Sequence, residues 1–275
     1  MLWALLIIII LLLLLSLIAV ARSFVNDDKI PAYTKKINLS EGVRIMYVFA
    51  HPDDEVLISG TLAMLKKKYN ASIKALYLTH GEDGPTGGIV EKADLKQERA
   101  KELNEVKREL DIDEMVIKDY PDRHLNTINK AELVKVIRDE AAGFNPDYII
   151  TTDDVIGLYG HTDHIAAGAA AKEAVSLIPS VKGLLVMTLP KQMIKLAMKM
   201  SKTFRERFTE GKALPSPNVA FMIWHERSKR LAVTRFHRTQ HEVMRDLQPY
   251  YEKLPAALYY AVFNKEYYEY TDENN

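Results

Sequence analysis

The chain has 275 residues, with 37 lysines and arginines against 37 aspartates and glutamates, and no cysteine. A formal net charge of zero gives no general affinity for nucleic acid. Without cysteine there are no disulfides, thiolate metal sites or cysteine nucleophile, so any metal must be held by His, Asp or Glu.

The first element is an apolar run. Leu2 to Ala21 reads LWALLIIIILLLLLSLIAVA, twenty residues without a charge. As a helix it reaches roughly 30 Å, one hydrocarbon thickness. Ala19, Val20 and Ala21 have the small-x-small form of a signal-peptide cleavage site. However, no Lys or Arg precedes the run, and the run is longer than the usual apolar core of such a signal. The expectation is a single-pass anchor over residues 1–22, with membrane lipid as its partner; a cleaved signal is the alternative. Arg22, Lys29, Lys35 and Lys36 flank its C-terminal end, and the positive-inside tendency would keep that side cytoplasmic. An extracytoplasmic placement stays open. Residues 23–41 read as a polar linker and 42–275 as one domain, of a length that supports a real core. Nothing in the sequence sets an oligomeric state.

From residue 42 strands and helices alternate. RIMYVFA (44–50) is an apolar strand, followed by the helix ISGTLAMLKKKY with its basic end. SIKALYLT (72–79) is a second strand and runs into the loop HGEDGPTGG. The amphipathic helix ADLKQERAKELNEVKRELDI, the strand EMVIKDY, the helix KAELVKVIRDEAAGF and the strand PDYIITT come next. After a loop follow the helix HIAAGAAAKEAVSLI and the strands GLLVMTL and VAFMIWH, which complete the expected sheet. Such alternation predicts an α/β fold with a mostly parallel sheet covered on both faces. Ligands bind beyond the carboxyl ends of the strands in sheets of this kind. Lys191, Lys195, Lys199 and Lys202 recur along KQMIKLAMKMSKTFRERF (191–208) as one basic stripe on a helix. That helix is either a lid or packing helix with a solvated lysine face or an amphipathic helix lying on anionic lipid.

Two polar clusters sit at strand ends. HPDDE (51–55) follows the first strand, and YGHTDH (159–164) follows the fourth. Each alone is as readily a helix cap or surface polarity. Together they offer His51, Asp54, His161, Asp163 and His164, and two histidines with a carboxylate form a common catalytic site for zinc or iron(II). The HGEDGPTGG loop lacks phosphate-loop spacing and reads as a rim to such a site. His80 within it is expected to face solvent, and Glu55 to brace the loop or cap the helix.

AHPDDE (50–55) with GHTDH (160–164) resembles the PIG-L / LmbE-like family of metal-dependent N-deacetylases. The family's second motif is usually G-H-P-D-H; Thr162 takes the place of the proline here, at a position that is not a ligand. The resemblance extends to THGEDG (79–84), the segment from Arg99, YPD (120–122) and HRTQ (237–240). It implies a Rossmann-like three-layer sandwich. By matching position it implies His51, Asp54 and His164 as ligands of one divalent metal, zinc in the first place and iron(II) as the alternative. It further implies Asp53 as general base and a protonated His161 as oxyanion stabiliser, oriented or tuned by Asp163, with Tyr159 at the mouth. Arg99 and Asp122 fall where the family binds sugar hydroxyls, and His237 where its role is local structure. The activity implied is removal of the N-acetyl group from an N-acetylglucosaminyl glycolipid, glycan or glycoconjugate. An amidase acting on a non-sugar amide and a sugar-binding relative without catalysis are the rivals.

Overall fold

The structure is a computed structural model and describes residues 2–30, 37–208 and 211–273. The apolar run forms helix α1 (Leu2–Val25), long and apolar enough to cross a membrane and exposed along most of its length. It runs three residues beyond the expected boundary at 22, and its end is tied down. Val25 and Asn26 are buried; Asn26 Nδ2 donates to the Val262 carbonyl at 2.8 Å, and the Tyr267 hydroxyl donates to Asn26 Oδ1 at 3.0 Å. Of the expected linker, residues 31–36, including Lys35 and Lys36, lie outside the described residues.

One seven-stranded sheet forms the centre: β1 (Arg44–Phe49), β2 (Ser72–Thr79), β3 (Glu114–Tyr120), β4 (Tyr148–Thr151), β5 (Gly183–Thr188), β6 (Val219–Met222) and β7 (Lys265–Asp272), in the order β3-β2-β1-β4-β5-β7-β6. The first five run parallel, and β7 is antiparallel to both β5 and β6. β1 shows why a run without alternation is a central strand: Ile45, Tyr47 and Phe49 join one core, Met46 and Val48 the other. The first core packs under α2 (Ser59–Tyr69), α3 (Leu95–Leu110) and α9 (Arg227–Phe236). The second packs under α4 (Lys130–Phe144) and α6 (Thr162–Val175), with Ala167, Ala170, Ala171 and Ala174 allowing close approach. The three-layer α/β fold is therefore as expected. A single irregular turn, α5 (Gly157–Gly160), leads into α6. α7 (Lys191–Met200), α8 (Lys202–Arg207), α10 (His241–Leu247) and α11 (Ala256–Val262) close the C-terminal side.

Two elements differ from expectation. β7 was not expected, because KEYYEYTD opens on two charges that look solvated. Lys265 and Glu266 are nevertheless buried, and Glu266 is satisfied by the Gly60 and Thr61 amides and by Arg230, at 3.1, 2.7 and 3.0 Å. The expected single helix over 191–208 breaks at Ser201, whose Oγ accepts from the Phe204 amide at 3.1 Å and donates to Asp246 Oδ2 at 2.6 Å. Ser201 thereby caps α8. The stripe is cut to Lys191, Lys195 and Lys199, all exposed, with Lys202 on the next helix.

The chain leaves β1 toward β2 on one side and β4 toward β5 on the other. The loops after β1 and β4 thus meet at a topological switch point, where open α/β sheets place their ligand sites.

Candidate active site

The turn after β1 carries His51 to Glu55. Asp53 adopts φ 117°, ψ −18°, a left-handed conformation that costs a non-glycine residue about 1–3 kcal/mol. Glu55, fully buried, holds it there: one oxygen accepts from the Asp53 amide at 3.0 Å and the Tyr77 hydroxyl at 2.9 Å, and the other meets His237 Nε2 at 2.5 Å. Burial pushes the Glu55 carboxyl up, and His237 and Tyr77 more than reverse this. Burial pushes the His237 imidazole down, and Glu55 more than reverses that. The pair is ionised. Glu55 braces the turn, as expected, and His237 is the other half of the brace.

The loop after β4 is organised by a residue that the sequence reading passed over. The buried carboxylate of Asp153 accepts from the amides of Val155 at 3.0 Å, Ile156 at 2.6 Å and Leu158 at 2.6 Å. The only signal for it was an Asp pair directly behind a strand. Gly160, at φ 100°, lies against the backbone of α8; a Cβ there would stand 2.0 Å from the Arg207 carbonyl oxygen.

These two turns bring three predicted residues to one point. His51 Nδ1 lies 3.2 Å from His164 Nε2, and Asp54 Oδ1 lies 3.0 Å from the same His164 nitrogen. Asp54 Oδ2 is 3.8 Å from His51 Nδ1 and accepts from the His51 amide at 3.0 Å. The other sides of both rings set their tautomers. His51 Nε2 stands between Asp122 Oδ1 at 3.0 Å and Asp163 Oδ2 at 3.3 Å, so it carries the proton. His164 Nδ1 donates to the Gly157 carbonyl at 3.1 Å. With those outer nitrogens protonated, His51 Nδ1, His164 Nε2 and the Asp54 carboxylate converge as a donor set that a divalent cation satisfies, the cation taking the place of the proton His51 Nδ1 otherwise carries. Burial would lower the His51 pKa, but Asp122, Asp163 and Asp54 raise it to about 10, and the same negative field favours a cation at this point. Burial would raise the Asp54 carboxyl, and His164 and His51 hold it well below the ordinary range.

His161 is close by. Its ring stacks on His164 with centroids 4.8 Å apart, and its nearer nitrogen can join those of His51 and His164 within 4.8 Å. Burial, His164 and His51 lower its pKa to about 2, so the ring is neutral rather than protonated. Nδ1 accepts from the Asp163 amide at 3.3 Å, which leaves the proton on Nε2. Asp163 thus meets His161 through its backbone amide rather than its carboxylate. The Asp163 carboxylate serves His51 Nε2 and the amides of Arg123 at 2.6 Å and Leu125 at 3.1 Å.

Asp53 Oδ2 lies 3.0 Å from Arg99 Nη2. Burial raises the Asp53 carboxyl and Arg99 opposes it, leaving it at about 6. Arg99 itself is buried and also donates to the Gly81 and Pro52 carbonyls. Gly81 is required there, since a Cβ would stand 2.1 Å from Arg99 Nη1. Arg99 and Asp122, expected at sugar hydroxyls, are thus bonded first to Asp53 and to His51. Both still line the cleft of about 580 Å³ above the cluster, together with Asp53, Tyr159 and His161. Gly84 and Pro85 of the HGEDGPTGG segment form its rim, as expected. Arg123, Thr203, Arg207 and Gln240 also line it; Gln240 lay in HRTQ, Thr203 and Arg207 in the 191–208 stretch that had been read as a lid, packing or membrane helix, and Arg123 in neither. His124 is exposed, and the partly buried His80 sits 3.2 Å from Asp119.

Fold and cluster together define an α/β protein with a histidine–carboxylate centre at its switch point. Residues 46–175 match the PIG-L family, described as GlcNAc-PI de-N-acetylase. A probable N-acetyl-α-D-glucosaminyl L-malate deacetylase 2 of Bacillus anthracis is 32% identical over 142 residues, covering 50% of this chain and 62% of that protein. A probable N-acetylglucosaminyl-phosphatidylinositol de-N-acetylase of Schizosaccharomyces pombe is 28% identical over 144 residues, covering 50% of this chain and 54% of that one. This chain thus spans less than two thirds of either relative. The N,N'-diacetylchitobiose deacetylase of Pyrococcus horikoshii shares the fold with a TM-score of 0.56 at 21% identity, covering 84% of each chain. The zinc-inhibited form of a teicoplanin deacetylase does so with a TM-score of 0.56 at 17% identity, covering 84% of this chain and 98% of that one.

Proposed function

We propose that this protein is a metal-dependent N-deacetylase whose substrate carries an N-acetylglucosaminyl group. The observation that carries the proposal is the pair of facing ring nitrogens, His51 Nδ1 and His164 Nε2 at 3.2 Å, closed by Asp54 and flanked by Asp53. The names of the Bacillus and Schizosaccharomyces relatives support the sugar class.

His51, Asp54 and His164 would hold the metal, with Asp122 and Asp163 keeping Nδ1 of His51 turned inward. A divalent metal supplies a Lewis acid and a water acidified from about 15.7 toward about 7. Zinc and iron(II) both suit the donor set. Asp53 is the general base: Arg99 takes its Oδ2, leaving Oδ1 to accept the proton of the attacking water and return it to the departing amine. Neutral His161, through Nε2–H, and the Tyr159 hydroxyl donate to the developing oxyanion. Arg99 positions Asp53, and with Asp122 it remains the candidate contact for sugar hydroxyls. α1 is read as a single-pass anchor, with Arg22 and Lys29 keeping the domain on the cytoplasmic side. That both Arg99 and Asp122 already have internal partners favours one second reading, in which the amide belongs to a molecule without a sugar.

Acetate release by the full chain in lipid nanodiscs, loaded with zinc or anaerobically with iron(II), tests the proposal against glucosamine N-acetyl conjugates and simple acetamides. The expected result is metal-dependent acetate from the sugars, reduced roughly 10²–10⁴-fold in Asp53→Ala with metal content unchanged. Metal bound at one per chain with no acetate from any sugar overturns it.

A further inference from the structure

Beside the polar cleft lies a cavity of opposite character. It encloses about 960 Å³ not filled by protein, part of it open to solvent. Met193, Leu196, Ala197 and Met200 of α7, Phe204 of α8 and Phe263 behind α11 give it apolar walls. Its walls are predominantly apolar, as in sites that take apolar small molecules. Removal of a two-carbon acetyl group makes no use of it. Of the charged groups in its lining, Arg230 pairs with Glu266 at 3.0 Å and Lys265 with Asp28 at 3.6 Å.

Two features say what enters. The cavity lies next to the catalytic cleft: a small space between them is lined by Asp53, Asp54 and Tyr159 on one side and by Leu57, Leu247 and Gln248, which also line the apolar cavity, on the other. At that neck Gln248 is buried and its Oε1 has no hydrogen-bond partner among the described residues. The cavity also adjoins the point where α1 joins the domain. α1 packs on α7 and α11. Two of the cavity's lining residues hold the segment that follows α1, Tyr267 through Asn26 at 3.0 Å and Lys265 through the Asp27 carbonyl at 3.4 Å. α7 turns its apolar side into the cavity and leaves Lys191, Lys195 and Lys199 outside.

We propose that this cavity takes a hydrocarbon chain of the substrate, so that the acetamido sugar is presented to Asp53 as the head of a single membrane amphiphile. The chain enters from the bilayer beside α1, runs under α7 and reaches the cleft through the neck at Gln248. The catalytic part rests on the deacetylase reading; the chain site does not.

The full chain, metal-loaded and in nanodiscs, is assayed with dodecyl and methyl N-acetylglucosaminides. Each buried methylene is worth roughly fourfold in binding. Partition into the bilayer enriches the dodecyl compound equally for every variant, so only the cavity-dependent gain responds to mutation. Ala197→Trp and, separately, Met193→Trp, which fill the cavity, are expected to lower the dodecyl-to-methyl ratio of kcat/KM at least about tenfold from wild type. In parallel, a dodecyl glucosaminide carrying a diazirine in its chain is photolysed on the wild-type protein, and the labelled residues are mapped. Labels on residues 193–204 and 247–263 support the chain site, and if no sugar yields acetate they support it while the deacetylase reading falls. Labels confined to α1, or a dodecyl-to-methyl ratio unmoved by both variants, overturn the chain site and leave the deacetylase reading standing.

Discussion

The two turns that build the candidate centre are held in different ways. The turn after β1 is held from far along the chain, Glu55 by His237, 182 positions later, and Asp53 by Arg99. The loop after β4 is held from within, by Asp153 on three amides of its own loop and by the Gly157 carbonyl on His164. A buried charge pair brings distant segments together but leaves a stranded charge when it is broken. A carboxylate capping nearby amides needs only the local chain. The first turn therefore depends on closure of the C-terminal region over the sheet, and the second forms with its own helix.

Four substitutions test that difference. Glu55→Ala strands His237 and is expected to cost about 3–5 kcal/mol in urea unfolding. Adding His237→Ala to it should cost little more, because the two act as one pair; simple additivity of the two losses would count against the long-range brace. Asp153→Ala leaves three amides without an acceptor and should cost about 2–4 kcal/mol, with no coupling to Glu55→Ala in a double-mutant cycle. Asp163→Asn lies on the second loop yet serves the first, and it should weaken metal affinity roughly 10–100-fold in a chelator competition. An unchanged affinity would mean that His51 does not need its outer carboxylates.

The smallest effect concerns α8, which supports the second loop through Arg207. Burial pushes the Asp246 carboxyl up, but Ser201 Oγ at 2.6 Å and the Thr203 and Lys202 amides at 3.0 and 2.7 Å hold it below the ordinary range. The stability it contributes is complete above its unfolded value of about 4 and is lost as pH falls from there through the folded value. Asp246→Ala should cost about 1 kcal/mol at pH 7. That gap should close as urea melts are repeated at lower pH; a gap independent of pH would assign the loss to packing.

Much was legible because strands, helices and turn residues are local signals. β1 through β5 fall where apolar runs and punctuation predicted them, and the two polar clusters meet because both follow strands that adjoin at the switch point. β7 was missed because Lys265 and Glu266 look solvated until Glu266 meets Arg230 and the first turn of α2. Asp163 was paired with its sequence neighbour His161, whereas its carboxylate crosses to His51.

The sequence by itself determined the α/β alternation, the membrane-compatible helix and the residue types that could bind a cation. Periodicity and residue chemistry are properties of short stretches, and those survive any packing. Tertiary structure alone decided which carboxylate serves which histidine, that Arg99 stands on Asp53, that α7 ends at Ser201, and that an apolar cavity opens between α1 and the cleft. Each of these depends on segments far apart in the chain meeting in space, where the burial of one charge is set by the arrival of another.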